Sequence, residues 1–226
     1  MEIRIVVFFL CLKLNERNIN KSKLIMIPEN FCHPHVESER ADLFHCYDAC
    51  STEVEYLELW GALVGATKPE NVLETGSYFG WGTKALAEAV KRNGFGKLYT
   101  IELDDNCTNT TKRVIEEAGL QDTVVQIKQD TREFLKETNV KFGLAVFDSN
   151  LDYRVKEFRV CLERSLLEKG DYAVFHDSSK VREFPKGERC KDSIIFWEDF
   201  EQIQKDYDFE GIIHFPLSRG LTLVKI

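Results

Sequence analysis

Between residues 71 and 176 short apolar runs alternate with longer stretches in which apolar residues recur every three or four positions. The short runs read as strands and the longer period as amphipathic helices. NVLE, KLYTIEL, VVQIKQD, GLAVFDSN and DYAVFHDSS are the predicted strands. Between them TKALAEAVKR, TTKRVIEEAGL with Gly119 as its cap, REFLKET and VKEFRVCLERSLLEKG are the predicted helices. Strand and helix in strict alternation predict an α/β fold, with a doubly wound, Rossmann-like, mostly parallel sheet. Ahead of this unit Val54, Leu57, Leu59, Trp60, Leu63 and Val64 keep helical spacing until Pro69 stops them. After it, SIIFWEDFEQIQKDY is helical, and EGIIHFPL and GLTLVKI are strands parted by Ser218, Arg219 and Gly220. So short a turn makes those two strands antiparallel, and they complete a seven-stranded sheet with a C-terminal hairpin.

No Pro/Gly/Ser-rich linker divides the chain. Residues 67–226 form the expected catalytic domain, residues 31–66 an N-terminal helical lid, and residues 1–30 an extension that is either loosely packed or not native, since Met26 offers a second start. IVVFFLCL in that extension is far shorter than the roughly 20 apolar residues that span a bilayer, and no small-residue cleavage site follows it. The formal charge of −8 opposes binding to nucleic acid, which needs clustered Lys and Arg. Seven scattered cysteines form no disulfide framework, so free thiols in the cytoplasm, with no membrane partner, are the expectation.

The stretch VLETGSYFGWGT, residues 72–83, carries the chemistry. Its glycines are spaced G-x-x-x-G-x-G, which is not the G-x-G-x-x-G of dinucleotide sites, and Glu74 stands just before them. Glu102 ends the second strand, where a carboxylate can accept hydrogen bonds from both ribose hydroxyls, and Asp130 ends the third, within reach of an adenine amino group. Three carboxylates around one pocket repel a polyphosphate and suit a ligand bearing an ammonium and a sulfonium.

VLETGSYFGWGTKALAEA, YTIELDD, EEAGLQDTVVQIKQDTREFL, FGLAVFDSN and YAVFHDSS, in that order, resemble the successive motifs of class I S-adenosylmethionine-dependent methyltransferases. The resemblance is to the catechol and caffeoyl-CoA O-methyltransferase branch and the related cephalosporin-hydroxylase-like group. It implies S-adenosylmethionine as cofactor. Glu74, Gly76, Ser77 and the rest of the loop, with Gly80, Gly82 and Thr83, would hold the methionine end; Glu102 would hold ribose, and Asp130 and Thr131 would lie near adenine, with Asp148 beside the cofactor. It also implies Mg²⁺ at Asp148 and Asp177, although the usual acid-then-Asn after the fifth strand is here Asp177 then Ser178. The alternative is His176 as general base with its ring oriented by Asp148 or Asp177; a third reading leaves Asp148 as a cap and His176 as a satisfied strand-end residue.

Cys32, His33, His35, His45, Cys46 and Cys50 crowd one short segment, but their spacing matches no standard zinc site. A lid over the substrate mouth is the better expectation, with His33 or His35 touching substrate. The charged loop 180–193, bearing Lys180, Arg182, Lys186, Arg189 and Lys191, hints at an anionic acceptor or is a solvated loop. The sequence therefore predicts an enzyme that methylates a hydroxyl of a small-molecule acceptor. N-methylation, sugar or natural-product tailoring, and a non-catalytic S-adenosylmethionine-binding protein stand as alternatives, and a homodimer is left open.

Overall fold

The computed structural model describes residues 31–34, 40–180, 183–184, 188–189 and 191–226. The expectations for residues 1–30, for His35 and for Arg182 and Lys186 lie outside the described residues. A short 3-10 turn, Ala41–Leu43, leads to α1 (Val54–Thr67), and then β1 (Asn71–Thr75), α2 (Trp81–Asn93), β2 (Lys97–Glu102), α3 (Asp105–Glu117), β3 (Val124–Lys128), α4 (Thr131–Glu137), β4 (Leu144–Phe147), α5 (Leu151–Glu163) and β5 (Tyr172–His176) alternate as expected. A two-stranded ribbon, β6 (Glu183–Phe184) with β7 (Glu188–Arg189), interrupts the charged loop, and α6 (Lys191–Asp206), β8 (Gly211–Phe215) and β9 (Leu221–Lys225) follow.

The main sheet has the order β3-β2-β1-β4-β5-β9-β8. Strands β1 to β5 are mutually parallel, and β9 runs against both β5 and β8. Direction reverses only at β9, so β8 at the edge points the same way as the parallel five. The strand order turns back between β1 and β4, and it is there, beyond the carboxyl ends of the strands, that such a sheet opens a crevice.

Period-two alternation sends neighbouring residues to opposite faces. Leu73, Ala145, Phe147 and Phe175 join Phe158, Phe196 and Phe200 in one buried cluster. Val72, Leu144, Val146 and Val174 join Trp60, Val64 and Leu86 in the other. Both faces of β4 are buried, which is why it reads as an unbroken apolar run.

The expected helical lid divides in two. Helix α1 is part of the core layer: Trp60 is fully buried, and Gly61 lets the helix settle close to Ala85 and Ala89 of α2. Lys68, in a left-handed conformation at φ 53°, closes α1 just before Pro69. Only the segment before α1 remains as a cover.

The β8–β9 connection is more than punctuation. Ser218 and Arg219 are buried, and Gly220 takes φ 82° with its Cα pressed on Ser179, where an added Cβ would lie 2.2 Å from a backbone nitrogen. Gly220→Ala is therefore expected to lower stability by about 2 kcal/mol or more, through a clash that no rotamer relieves and a φ that L-residues avoid. Urea unfolding of the variant would measure it, and an unchanged midpoint would show that the turn can reseat.

Candidate active site

A cavity of about 600 Å³ opens at the carboxyl ends of β1 to β5. Its floor begins at the end of β1. Gly76, at φ 82°, donates its N–H to the Ile101 carbonyl, and an added Cβ would stand 2.7 Å from the Asp148 carbonyl oxygen. Only glycine permits the loops after β1 and β4 to come so close.

Glu74 lies beneath the loop. Its Oε2 accepts hydrogen bonds from the hydroxyls of Thr83 and Thr100, both at 2.6 Å, while its Oε1 faces Gly82, where a Cβ would meet it at 2.5 Å. Burial outweighs these two donors and raises its pKa from 4.5 to about 7. Glu102 accepts four backbone N–H groups: Ser77 and Tyr78 on one oxygen, at 3.1 and 3.0 Å, and Leu103 and Asp104 on the other, at 2.8 and 3.0 Å. The carboxylate thereby pins the glycine loop to the end of β2.

Asp130 caps α4 and binds Arg132 through both oxygens, a side-chain hydrogen bond that holds its pKa below the usual value. The Arg132 guanidinium in turn lies 4.2 Å over the Tyr153 ring. Trp81, whose role the sequence left open, stacks on Tyr47 at 4.0 Å and so fastens the cover segment to the start of α2.

Of the residues expected at the cofactor, Glu74, Gly76, Ser77, Gly82, Glu102, Asp130, Thr131 and Asp148 line the cavity. Gly80 and Thr83 do not: Gly80 turns the chain into α2 against Thr111, and Thr83 bonds to Glu74 from the protein side. Their part is to shape the loop.

The three residues expected to act on the acceptor, Asp148, His176 and Asp177, also meet at the wall. His176 is 1% exposed, with the rings of Tyr56 and Trp60 edge-on beside it. Its Nδ1 donates to Asp148 Oδ1 at 2.9 Å and its Nε2 to Glu53 Oε2 at 2.7 Å. Burial alone disfavours the charged ring, but Asp177, Asp148 and Glu53 overcome it and push the pKa from 6.5 to about 9. Both ring nitrogens are engaged by carboxylate oxygens, Asp148 on one side and Glu53 on the other.

Four residues of the site escaped the sequence reading. Glu53, fully buried at the start of α1, accepts hydrogen bonds from His176, Ser218 and Arg219. Burial works to raise its pKa, yet His176 and Arg219 hold it well below the carboxylate range. Thr52 donates to Asp148 Oδ2 at 2.8 Å. Arg154 reaches Asp148 Oδ1 at 3.0 Å and Asp177 Oδ2 at 3.1 Å. Arg219 reaches Glu53 Oε2 at 2.9 Å and the carbonyls of Cys50 and Ser51. Arg154 had a visible signal, because it sits with Leu151, Val155 and Phe158 on the stripe that α5 buries. Nothing in S-R-G distinguishes Arg219 from a solvent-exposed turn.

Asp148, His176 and Asp177 present ligand atoms within 4.8 Å of one another, a spacing that suits a divalent ion. The donor chemistry does not suit one. The guanidinium of Arg154 bridges the two carboxylates, His176 donates through the nitrogen that would ligate, and Ser178 turns away to share a hydrogen bond with Thr222.

In the cover segment Cys32 and Cys46 face each other across an isolated antiparallel bridge, His33 bonds to the Phe44 carbonyl, and His45 bonds to Glu55. Among the described residues these groups form no metal-binding cluster. Cys50, Ser51 and Thr52 line the cavity, whereas His33 does not.

Residues 73–178 match the family model described as a methyltransferase domain. Catechol O-methyltransferase B of Danio rerio is 28% identical over 87 residues, which are 38% of this chain and 32% of that relative. The match thus spans about a third of the curated relative's length. Among solved structures, the SAH-bound methyltransferase PaMTH1 of Podospora anserina superposes with a TM-score of 0.67 at 16% identity, covering 77% of this chain and 79% of that one. The O-methyltransferase TomG of Streptomyces achromogenes, in complex with SAM, gives 0.65 at 18% identity over 78% and 81%. The O-methyltransferase of Bacillus cereus, in complex with SAH, gives 0.64 at 17% over 79% and 84%. Residues 73–178 are thus similar to a methyltransferase domain, and the sheet as a whole shares the fold of these solved structures.

Proposed function

We propose that the protein transfers the methyl group of S-adenosylmethionine to a hydroxyl of a small molecule. The observation that carries this reading is the gathering of Gly76, Ser77, Glu102, Asp130, Thr131, Asp148 and Asp177 around one cavity. The cofactor's ribose would lie at Glu102, its adenine by Asp130 and Thr131, and its methionine end along the loop at Gly76 and Ser77. The hydroxyl oxygen attacks the methyl carbon in line. As the new O–C bond forms, the S–C bond breaks, its electron pair neutralises the sulfonium, and the hydroxyl proton passes to a carboxylate at the cavity wall or to water.

His176 is then a positioning residue, a buried cation that holds Asp148 and Glu53 at fixed places. Its raised pKa contributes stability that is fully present below pH 6.5 and is lost as the pH rises through about 9. The five described cysteines are free thiols, which supports a reducing compartment such as the cytoplasm. Among the described residues no helix is long and apolar enough to cross a membrane.

Two measurements test the reading. Calorimetry with S-adenosylhomocysteine is expected to show binding that Glu102→Ala weakens about tenfold or more, the worth of a charge-assisted hydrogen bond. No binding at about 1 mM ligand would remove the cofactor assignment. The His176 ring protons followed by NMR are expected to titrate near pH 9. A midpoint near 6.5 that tracks the activity profile of methyl transfer to hydroxylated metabolites would restore His176 as the general base.

A further inference from the structure

We propose that Arg154 occupies the place of a divalent cation at Asp148 and Asp177, so that methyl transfer in this protein needs no metal. The inference rests on the methyltransferase reading above and concerns how that same site is built.

The geometry is specific. One guanidinium nitrogen, Nη2, lies 3.0 Å from Asp148 Oδ1 and 3.1 Å from Asp177 Oδ2, between the two carboxylates that a metal would share. The group is pinned from behind, with Nε donating to the Ser149 carbonyl at 2.6 Å and Nη1 donating to the His176 carbonyl. For a metal to enter, Arg154 would have to give up two carbonyls and two carboxylates at once, from a side chain that is 4% exposed. An arginine cannot yield by losing its proton.

Charge pairing points the same way. Arg154 bridges Asp148 and Asp177, and Arg219 pairs with Glu53 and faces Asp177 at 3.7 Å. Each of these carboxylates has a guanidinium beside it before any ion arrives, and a divalent cation would meet the fixed charge of Arg154 in a buried cluster, where removing charge from water is costly.

Arg154 therefore acts through its partners, as a positioning residue. It supplies a permanent positive charge, holds the Asp148 and Asp177 carboxylates together despite their mutual repulsion, and leaves the acceptor free of the need to offer two oxygens to a metal.

The test uses the full chain, dialysed against EDTA and titrated with Mn²⁺ in the presence of S-adenosylhomocysteine, with bound metal read by electron paramagnetic resonance. The wild type is expected to hold no Mn²⁺ up to about 1 mM, the weak end of the range of built carboxylate sites. Arg154→Met, which releases both carboxylates, is expected to gain Mn²⁺ affinity by about tenfold or more. If that variant shows no cooperative unfolding transition, Arg154→Gln replaces it, because glutamine keeps an amide that can donate to the carbonyls but carries no charge. The same gain is expected. Stoichiometric Mn²⁺ binding by the wild type below about 1 mM overturns the proposal, and so does a folded variant that gains none. Calorimetry with S-adenosylhomocysteine on the same wild-type samples separates the two readings. Loss of that binding removes the methyltransferase reading, whereas metal binding with the ligand still bound removes only the role of Arg154.

Discussion

Six charged groups at the carboxyl end of the sheet depend on one another, and the site depends on them. Glu53, Asp148 and Asp177 are buried or nearly so, and each would be untenable there without Arg154, Arg219 or His176 beside it. Removing one partner from such a cluster costs about 3–5 kcal/mol, because the other charge is left in a medium that cannot solvate it. The cluster joins the ends of β4 and β5, the start of α1, α5 and the β8–β9 turn, five parts of the chain that share no continuous apolar run. Shape at this end of the domain is therefore set by charge pairing, while the rest of the sheet is set by the packing of aromatic and aliphatic layers.

The glycine loop works by a related economy of space. Gly76 brings the backbone after β1 against the backbone after β4, and Glu102 gathers the loop's N–H groups from the side of β2. Glu74, first read as a ligand group, serves largely as a brace under the loop through Thr83 and Thr100, although one edge of it still reaches the cavity. Three acids that sequence reading grouped together thus have three distinct tasks. Glu74 supports, Glu102 ties, and Asp130 caps α4 while pairing with Arg132.

Alternation of apolar and polar positions made the strands and helices legible, and the five parallel strands stand where the pattern put them. The pattern worked best for β1, β4 and β5, which are buried along nearly their whole length, whereas edge strand β3 is only half-buried. The loop residues that touch the cavity were legible too, since strand ends in a parallel sheet are fixed by the strands themselves. Glu53, Thr52 and Arg219 were not legible, because their place follows from contacts between segments far apart in sequence, and neither STE nor SRG differs locally from an ordinary cap or turn. The sequence left three readings of His176 open for the same reason. A histidine next to an aspartate at a strand end suggests a base until its second nitrogen is seen to face Glu53.

The Arg219 side chain clasps a carboxylate 166 residues earlier in the chain and two carbonyls just before it. The first and last described stretches of this domain close on each other, and the cavity wall between them has no stable form until both exist. On a ribosome, the sheet from β1 to β5 can order as it emerges, but the pocket must wait for the final hairpin. A sealed cavity is then the last feature this domain acquires, and a partly made or C-terminally clipped copy would keep much of its hydrophobic core while its acids stand exposed around an unsealed opening.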